Sequence, residues 1–437
     1  ETAMLAWFPG NASNRSQLSS SEPFSETDLR SISDILRCTG KEQWSRIPRI
    51  YSVLRLIDKL PAIELFLAQG ITDVWFPFNH STIPGSLNPS ATHEFLQAQR
   101  LVLSRALDLE QETGRHGHFS SHADVPFDKV EELGKGGYGY VDKVVSTVSY
   151  TVYARKLIHR GRTFKKDKQV SKDFERELGN LKKLKHIHIV KLIGSYTDPK
   201  FVGIIMLPVA DYNLKEFLEI QMTDSVERAK ERRSFLRTFF GCLTSTLLYL
   251  HDSCVRHKDI KPQNVLVKGH DVFLTDFGIS LDWAEAGKST SSGETVCTPR
   301  YCAPEVAQCL RRNSSSDMWS LDCVFLEIWT VLKEDSVPRL HTYLQVSHSM
   351  SSYYHLNPSG VSSWVSILSA RGLSSDNAPL SWIPNLMQKD PEVRWTARTL
   401  FEEISDVNSN PETKFAFSGH CCIEDPESES AHSCASV

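Results

Sequence analysis

The side chains best suited to chemistry lie between positions 133 and 278. The run Leu133-Gly134-Lys135-Gly136-Gly137-Tyr138-Gly139-Tyr140-Val141 spaces glycines between stretches of β-forming residues. Backbone amides freed of side chains at Gly134, Gly136 and Gly139 can come close to phosphate oxygens. In a dinucleotide-binding fold the same spacing opens a helix, but here a β-branched segment follows, which ends that reading. An ordinary hairpin turn is the bland alternative. Farther along, His257-Lys258-Asp259-Ile260-Lys261-Pro262-Gln263-Asn264 precedes Asp276-Phe277-Gly278. Asp259 suits a base or orienting carboxylate for a hydroxyl nucleophile. Lys261 offers positive charge to a transferring phosphoryl group. Asn264 and Asp276 supply an amide and a carboxylate oxygen, enough for Mg²⁺, a hard cation that keeps several waters. The chemistry these types favour is transfer of a phosphoryl group from ATP to a hydroxyl.

Such groups need rigid elements to hold them. Alternating or clustered β-formers predict strands over 130–133, 138–145 and 150–158, a meander around the Gly-rich turn. A helix with a charged face is predicted over 172–184, then strands over 189–192 and 202–206. Leu207-Pro208-Val209 reads as a hinge, after which the pattern is mostly helical. The most apolar stretch, Phe235 to Leu250, is broken by Arg237, Thr and Ser, and reads as a buried helix rather than a membrane span.

In order and spacing, these motifs, with Ala154-Arg155-Lys156, Arg176-Glu177-Leu178 and Ala303-Pro304-Glu305, resemble the eukaryotic-type protein kinases of the Ser/Thr branch. The resemblance covers roughly two-thirds of the chain. It implies an α+β, two-lobed fold: a small antiparallel-sheet lobe with one helix, and a large helical lobe. It also implies ATP and Mg²⁺ as cofactors and a protein Ser/Thr acceptor as partner. Lys156 would bridge the α- and β-phosphates and pair with Glu177, with Glu175 as the other choice. Leu133, Val141, Ala154 and Leu266 would contact the nucleotide, with Met206 as gatekeeper behind the adenine. His257 and Phe277 would pack on each other, and Asp317 would prop the backbone near Asp259. Thr298 would line the acceptor pocket, while Glu305 and Arg394 would form a buried ion pair. A pseudokinase or scaffold is the competing class, but such proteins usually lack one of the residues found here as Lys156, Asp259 and Asp276. A small-molecule kinase of related fold is disfavoured by the Thr298-Pro299 and Ala303-Pro304-Glu305 segments, which resemble a peptide-binding surface.

Several positions depart from that pattern. Lys258 replaces an Arg that in the family receives an activation-loop phosphate, and a lysine lacks the bidentate fork. Candidate acceptors in that loop are Ser289, Thr290, Ser291, Ser292 and Thr295. Cys297 and Asp322 each stand where glycine is usual. A carboxylate at 322, on a helix, needs a partner or access to solvent.

The rest of the chain is read more coarsely. Residues 1–25 are Ser- and Asn-rich and expected to be disordered. Residues 26–125 form a helical region, resembling N-terminal segments of some kinases of filamentous fungi, that would pack on the small lobe or recognise a regulator. The resemblance implies a kinase domain over 126–407, and the Ser-, Glu- and Cys-rich tail 408–437 is expected to be disordered. A formal charge of -4 gives no bulk field for nucleic acid or anionic lipid. The 10 cysteines show no Cys-x-x-Cys pair and no histidine at zinc-like spacing, so reduced thiols and a cytoplasmic setting, with a nuclear one as alternative, are expected. Cys434-Ala435-Ser436-Val437 has the form of a prenylation box, and Cys421 and Cys422 are possible palmitoylation sites, but the acidic segment upstream favours a solvated tail.

Overall fold

The computed structural model describes residues 4, 7–8, 23–78, 80, 82–84, 87–103, 109–110, 115–136, 139–161, 164–220, 226–277, 281–282, 298–311, 313–346 and 350–422. The chain divides into two compact units, residues 1–182 with 191–209, and residues 183–190 with 210–437. The boundary between Val209 and Ala210 falls at the end of the segment read as a hinge.

Six strands form the sheet of the first unit: β1 (Arg115–His118), β2 (Phe127–Gly136), β3 (Gly139–Ser146), β4 (Val152–His159), β5 (Lys191–Thr197) and β6 (Phe201–Leu207). Their order is β1-β5-β6-β4-β3-β2. The pairings among β2 to β6 are antiparallel as expected, and β1 adds a parallel edge to β5, with His116 opposite Ser195, which makes the sheet mixed. This edge also places a strand inside the region read as helical. Two histidines and a glycine in four residues carry no β pattern, and the strand is held by its neighbour: the His116 Nδ1 and Ser195 hydroxyl lie 2.8 Å apart. At the opposite end of the sheet, β2 and β3 close with Gly136 opposite Gly139. An added Cβ at Gly139 would overlap the Leu157 carbonyl of β4. Glycine at that position is therefore required by strand packing, whatever it does for a phosphate.

Four helices of the N-terminal region pack on one core: α1 (Glu26–Cys38), α2 (Pro48–Leu56), α3 (Ile63–Ala68) and α4 (Pro89–Ala98). Ser25 caps α1 in a reciprocal pair with Asp28, and Asn88 caps α4 by accepting from the Ala91 amide at 2.8 Å. Pro48 opens α2 at its first turn, where a missing N–H costs nothing. Leu29, Ile32 and Leu36 of α1 meet Ile50, Val53 and Leu54 of α2 in that core, together with Trp75, Phe76 and Phe78 of the following loop. Met4 and Phe8 are buried there too, so disorder does not extend through all of residues 1–25. The same region contacts the six-stranded sheet and its flank directly. Arg160 donates to the Pro77 and Trp75 carbonyls at 2.8 and 3.0 Å, and the Thr197 hydroxyl donates to the Phe76 carbonyl.

The helix α5 (Phe164–Lys183) starts earlier than its apolar pattern suggests, in a lysine-rich stretch. Phe174, Leu178 and Leu181 are buried, and Glu177 shares their face at helical spacing. Glu175 lies off that face and accepts from Thr72 at 2.5 Å. Burial holds the Glu175 carboxyl above its ordinary value, against the Thr72 hydrogen bond.

In the second unit the main elements are α6 (Val226–Asp252), a short sheet with β7 (Val265–Lys268) and β8 (Asp271–Leu274), α7 (Ser315–Leu332) and α8 (Ala397–Ser409). The apolar stretch 235–250 lies within α6, and no helix among the described residues is long and apolar enough to cross a membrane. The expected disordered tail does not begin at 408. Phe417 is fully buried against Phe240 and Trp382, with ring centroids 5.9 and 5.6 Å away. One aromatic residue with a waiting pocket orders a segment whose composition reads as polar. Residues 423–437, with the prenylation-like box, lie outside the described residues, as do Ser289–Thr295 and Cys297.

Asp322 finds neither of the two things a carboxylate on that helix needs. It is 0% exposed within α7, and both oxygens are without a hydrogen-bond partner among the described residues. Burial pushes its pKa well above the usual carboxylate value, and the nearby Arg394 only partly offsets this. The folded state thus holds a proton that the unfolded chain has lost, and stability falls as pH rises from the ordinary carboxylate range toward the raised value. Asp322→Ala should raise the stability of the full chain at neutral pH by about 1–3 kcal/mol. The gain should vanish below about pH 4, where the carboxyl is protonated in both states. Urea denaturation at both pH values checks this, and an equal effect at both would contradict it.

Candidate active site

Strand pairing on the first unit aligns several of the candidate residues. Lys156 on β4 lies opposite Val141 of β3 and Ile204 of β6, and Ala154 lies opposite Met206. Leu133 and Gly134 occupy β2, with Leu133 39% exposed. The Lys156 Nζ donates to Glu177 Oε1 at 2.7 Å. Of the two glutamates considered, Glu177 is the one paired, because its helical position faces the sheet while Glu175 is engaged by Thr72. At 18% and 6% side-chain exposure the pair is largely desolvated, so neither charge is idle.

Another set of groups gathers in the second unit around Asp259. Its Oδ1 accepts from the Thr298 hydroxyl at 2.7 Å, and its Oδ2 accepts from Lys261 Nζ at 2.5 Å. Lys261 also donates to the Thr298 oxygen at 3.0 Å, which closes a three-membered ring of polar groups. The Asn264 amide nitrogen donates to the Asp259 carbonyl at 2.8 Å and to Oδ2 at 3.2 Å. That leaves the Asn264 oxygen as the amide atom turned to other partners. A cavity beside the ring is lined by Lys258, Asp259, Thr298, Tyr301, Asp317 and Ser320.

The backbone that carries these groups is fastened from below. Asp317, on α7, accepts from the His257 and Lys258 amides at 2.9 and 2.8 Å. His251 Nε2 lies 3.2 Å from the same carboxylate. Burial alone would raise the Asp317 carboxyl, but donation from His251 and the nearby amide holds it below its ordinary value. His251 was not legible as a site residue, since no local motif links it to a partner 66 positions away. His257 Nε2 meets the Thr275 carbonyl at 2.9 Å, and its ring packs edge-on to Phe277 with centroids 5.1 Å apart. The Thr275 amide donates to the Asn264 carbonyl at 3.0 Å, so Asp276 is delivered beside Asn264 by backbone bonds. Lys258 and Asp276 both have left-handed backbones, φ 71° and 67°. Such conformations cost roughly 1–3 kcal/mol each outside glycine and persist where surrounding structure imposes them. Leu266 lies on β7, opposite Phe273.

The family described as protein kinase domain matches residues 127–404. The chain is 29% identical over 209 residues to serine/threonine-protein kinase nekl-2 of Caenorhabditis elegans, covering 46% of this chain and 57% of that protein. It is 30% identical over 243 residues to cyclin-dependent kinase 2 of Caenorhabditis elegans, covering 54% and 60%. Serine/threonine-protein kinase 33 of Bos taurus is 29% identical over 203 residues, covering 44% and 39%. The chain therefore spans between 39% and 60% of the length of these relatives.

Proposed function

The chain belongs to the protein kinase domain family, and we propose that it transfers the γ-phosphoryl group of ATP to serine or threonine hydroxyls of protein substrates. The observation that carries this reading is the ring formed by Asp259, Lys261 and Thr298. A carboxylate held at both oxygens has a fixed direction, as a group that orients a hydroxyl must. The lysine two positions after the aspartate supports the Ser/Thr branch.

Each group has a proposed task. Asp259 orients the acceptor hydroxyl and takes its proton as the bond to phosphorus forms. Lys261 offsets the charge that develops on the transferred group. In the first unit Lys156, held by Glu177, positions the α- and β-phosphates, and the amides of Gly134, Gly136 and Gly139 cover the phosphates. Leu133, Val141, Ala154 and Met206 of that unit, and Leu266 of the second, are the proposed nucleotide contacts. Asn264 and Asp276 suit Mg²⁺, because both offer hard oxygens and the Asn264 nitrogen is already committed to Asp259. When bound, Mg²⁺ would neutralise charge on the phosphates and align them. Positioning and electrostatics carry most of the rate, as a loose phosphoryl-transfer transition state requires.

A peptide array with ATP and Mg²⁺ tests the assignment. The full chain should label serine and threonine peptides and leave tyrosine peptides unlabelled. Asp276→Asn should abolish labelling while leaving thermal unfolding nearly unchanged. An inactive wild-type chain that still binds nucleotide would instead make it a pseudokinase, and undiminished labelling by the variant would remove Asp276 from metal binding.

A further inference from the structure

The second unit holds a cluster that phosphoryl transfer does not use. His188, Cys242, Cys421 and Cys422 bring one nitrogen and three sulfur atoms within 4.8 Å of one another. His188 precedes β5, Cys242 lies on α6, and the two vicinal cysteines follow α8. The Cys242 and Cys421 sulfurs are 3.8 Å apart, those of Cys421 and Cys422 3.9 Å, and the His188 Nε2 is 3.3 Å from Cys421 Sγ. Tetrahedral zinc with Zn–S near 2.3 Å and Zn–N near 2.0 Å separates its ligands by about 3.8 Å for two sulfurs and about 3.5 Å for sulfur and nitrogen. A disulfide would need sulfurs about 2.05 Å apart. We propose that His188 Nε2 and the thiolates of Cys242, Cys421 and Cys422 form a closed zinc site that fastens the segment after α8 to the body of the second unit.

The surroundings are built for such a site. His188 Nδ1 lies 2.8 Å from the Val272 carbonyl. That bond sets the tautomer with the proton on Nδ1 and leaves the Nε2 lone pair for a metal, the usual arrangement behind a ligating histidine. The His188 backbone is fixed as well, its carbonyl accepting from the Leu274 amide at 2.8 Å. Two glycines allow the sulfurs to meet. A Cβ on Gly419 would lie 2.7 Å from Cys421 Sγ and 3.2 Å from Cys242 Sγ, and a Cβ on Gly241 would overlap the Ser418 side chain. The Gly241 amide donates to the Phe417 carbonyl at 2.8 Å, which anchors the segment one residue from Cys242. Cys421 is exposed and Cys422 half-buried, so an ion has a way in.

Three soft thiolates with one imidazole select zinc among abundant divalent ions. Four protein ligands leave no open position, which makes the site structural. Binding releases the three thiol protons to solvent, while His188 binds neutral, and the complex carries one net negative charge. The sequence hides this site because its ligands come from three remote segments, so no local Cys–His spacing marks it. Ligation also keeps Cys421 and Cys422 from acylation.

The test is elemental analysis of the untagged full chain, purified without chelator, with cobalt substitution as a second readout. About one zinc per chain is expected, released by a thiol-modifying reagent. Cobalt should give the intense visible bands of a tetrahedral thiolate site together with near-ultraviolet charge transfer. Cys422→Ser, and the double variant Cys421→Ser with Cys422→Ser, should lose the metal and the cobalt spectrum, while Cys38→Ser should keep both. A strong chelator should lower the melting temperature of the wild type and leave the double variant unmoved. A folded wild type without zinc or a cobalt spectrum would overturn the proposal. So would zinc content unchanged in the double variant, or a Cys242–Cys421 disulfide in non-reducing peptide maps.

Discussion

Asp259→Asn should lower kcat by about 10²–10⁴-fold, the usual contribution of a positioned acid–base group. That corresponds to about 3–6 kcal/mol of transition-state stabilisation at ~1.4 kcal/mol per tenfold. The substitution preserves shape and keeps one acceptor oxygen for Lys261, its new amide nitrogen can donate to the Thr298 hydroxyl, and the Lys261 and Asp259 side chains are 21% and 14% exposed, so the fold should survive. The KM for ATP should stay near the wild-type value, because the carboxylate is assigned to the acceptor and not to the nucleotide. Thr298→Val removes the hydroxyl that reaches Asp259 Oδ1 and should cost kcat less than Asp259→Asn, since Lys261 still holds the other oxygen. Steady-state assays on a serine peptide with both variants check the pattern. A variant at Asp259 that keeps more than about a tenth of the wild-type kcat would remove it from the chemistry.

Asp259, Lys261, Asn264 and Asp276 stand out in the sequence because the proposed phosphoryl transfer would need such side chains at short, local spacings, and Asp259, Lys261 and Asn264 meet in the fold. The preference for Glu177 over Glu175 rests in the sequence on the resemblance, and the fold supplies the physical reason: Phe174, Leu178 and Leu181 mark the inward face of α5, which Glu177 shares. What escaped reading depends on partners far away in sequence. β1 has no pattern of its own and exists through its pairing with β5. The segment through Phe417 is ordered by one ring in a pocket made by Phe240 and Trp382. His251 acts only through Asp317, and the cluster at His188 assembles from remote segments. The N-terminal region reads as helical from its periodicity, yet part of its contact with the first unit's sheet and its flank runs through backbone carbonyls of residues 75–77, which no side-chain pattern encodes.

Breaking the pair between Glu305 and Arg394 should destabilise the second unit by about 3–5 kcal/mol. The pair is bidentate, at 2.9 and 3.2 Å, and the side chains are 4% and 0% exposed. Arg394 further donates to the Ser315 carbonyl at 2.7 Å and to the Gln388 carbonyl at 2.8 and 3.1 Å. Its guanidinium also lies 5.3 Å from the Trp319 ring centroid. Glu305→Ala strands a buried cation among carbonyls and one ring, whereas Arg394→Met strands a buried anion and frees three acceptor contacts. The double variant should cost less than the sum, because each single change leaves an uncompensated charge that the other removes. Asp322 adds a second coupling, since Arg394 is the positive charge that partly offsets its burial. With Arg394→Met in place that offset is gone, so Asp322→Ala should stabilise the Arg394→Met background more than it stabilises the wild type. Urea melts of the four combinations at positions 322 and 394, at neutral pH, measure this directly. Equal gains in both backgrounds would mean that the two groups do not interact, and single losses under about 1 kcal/mol would mean that the Glu305–Arg394 pair holds little.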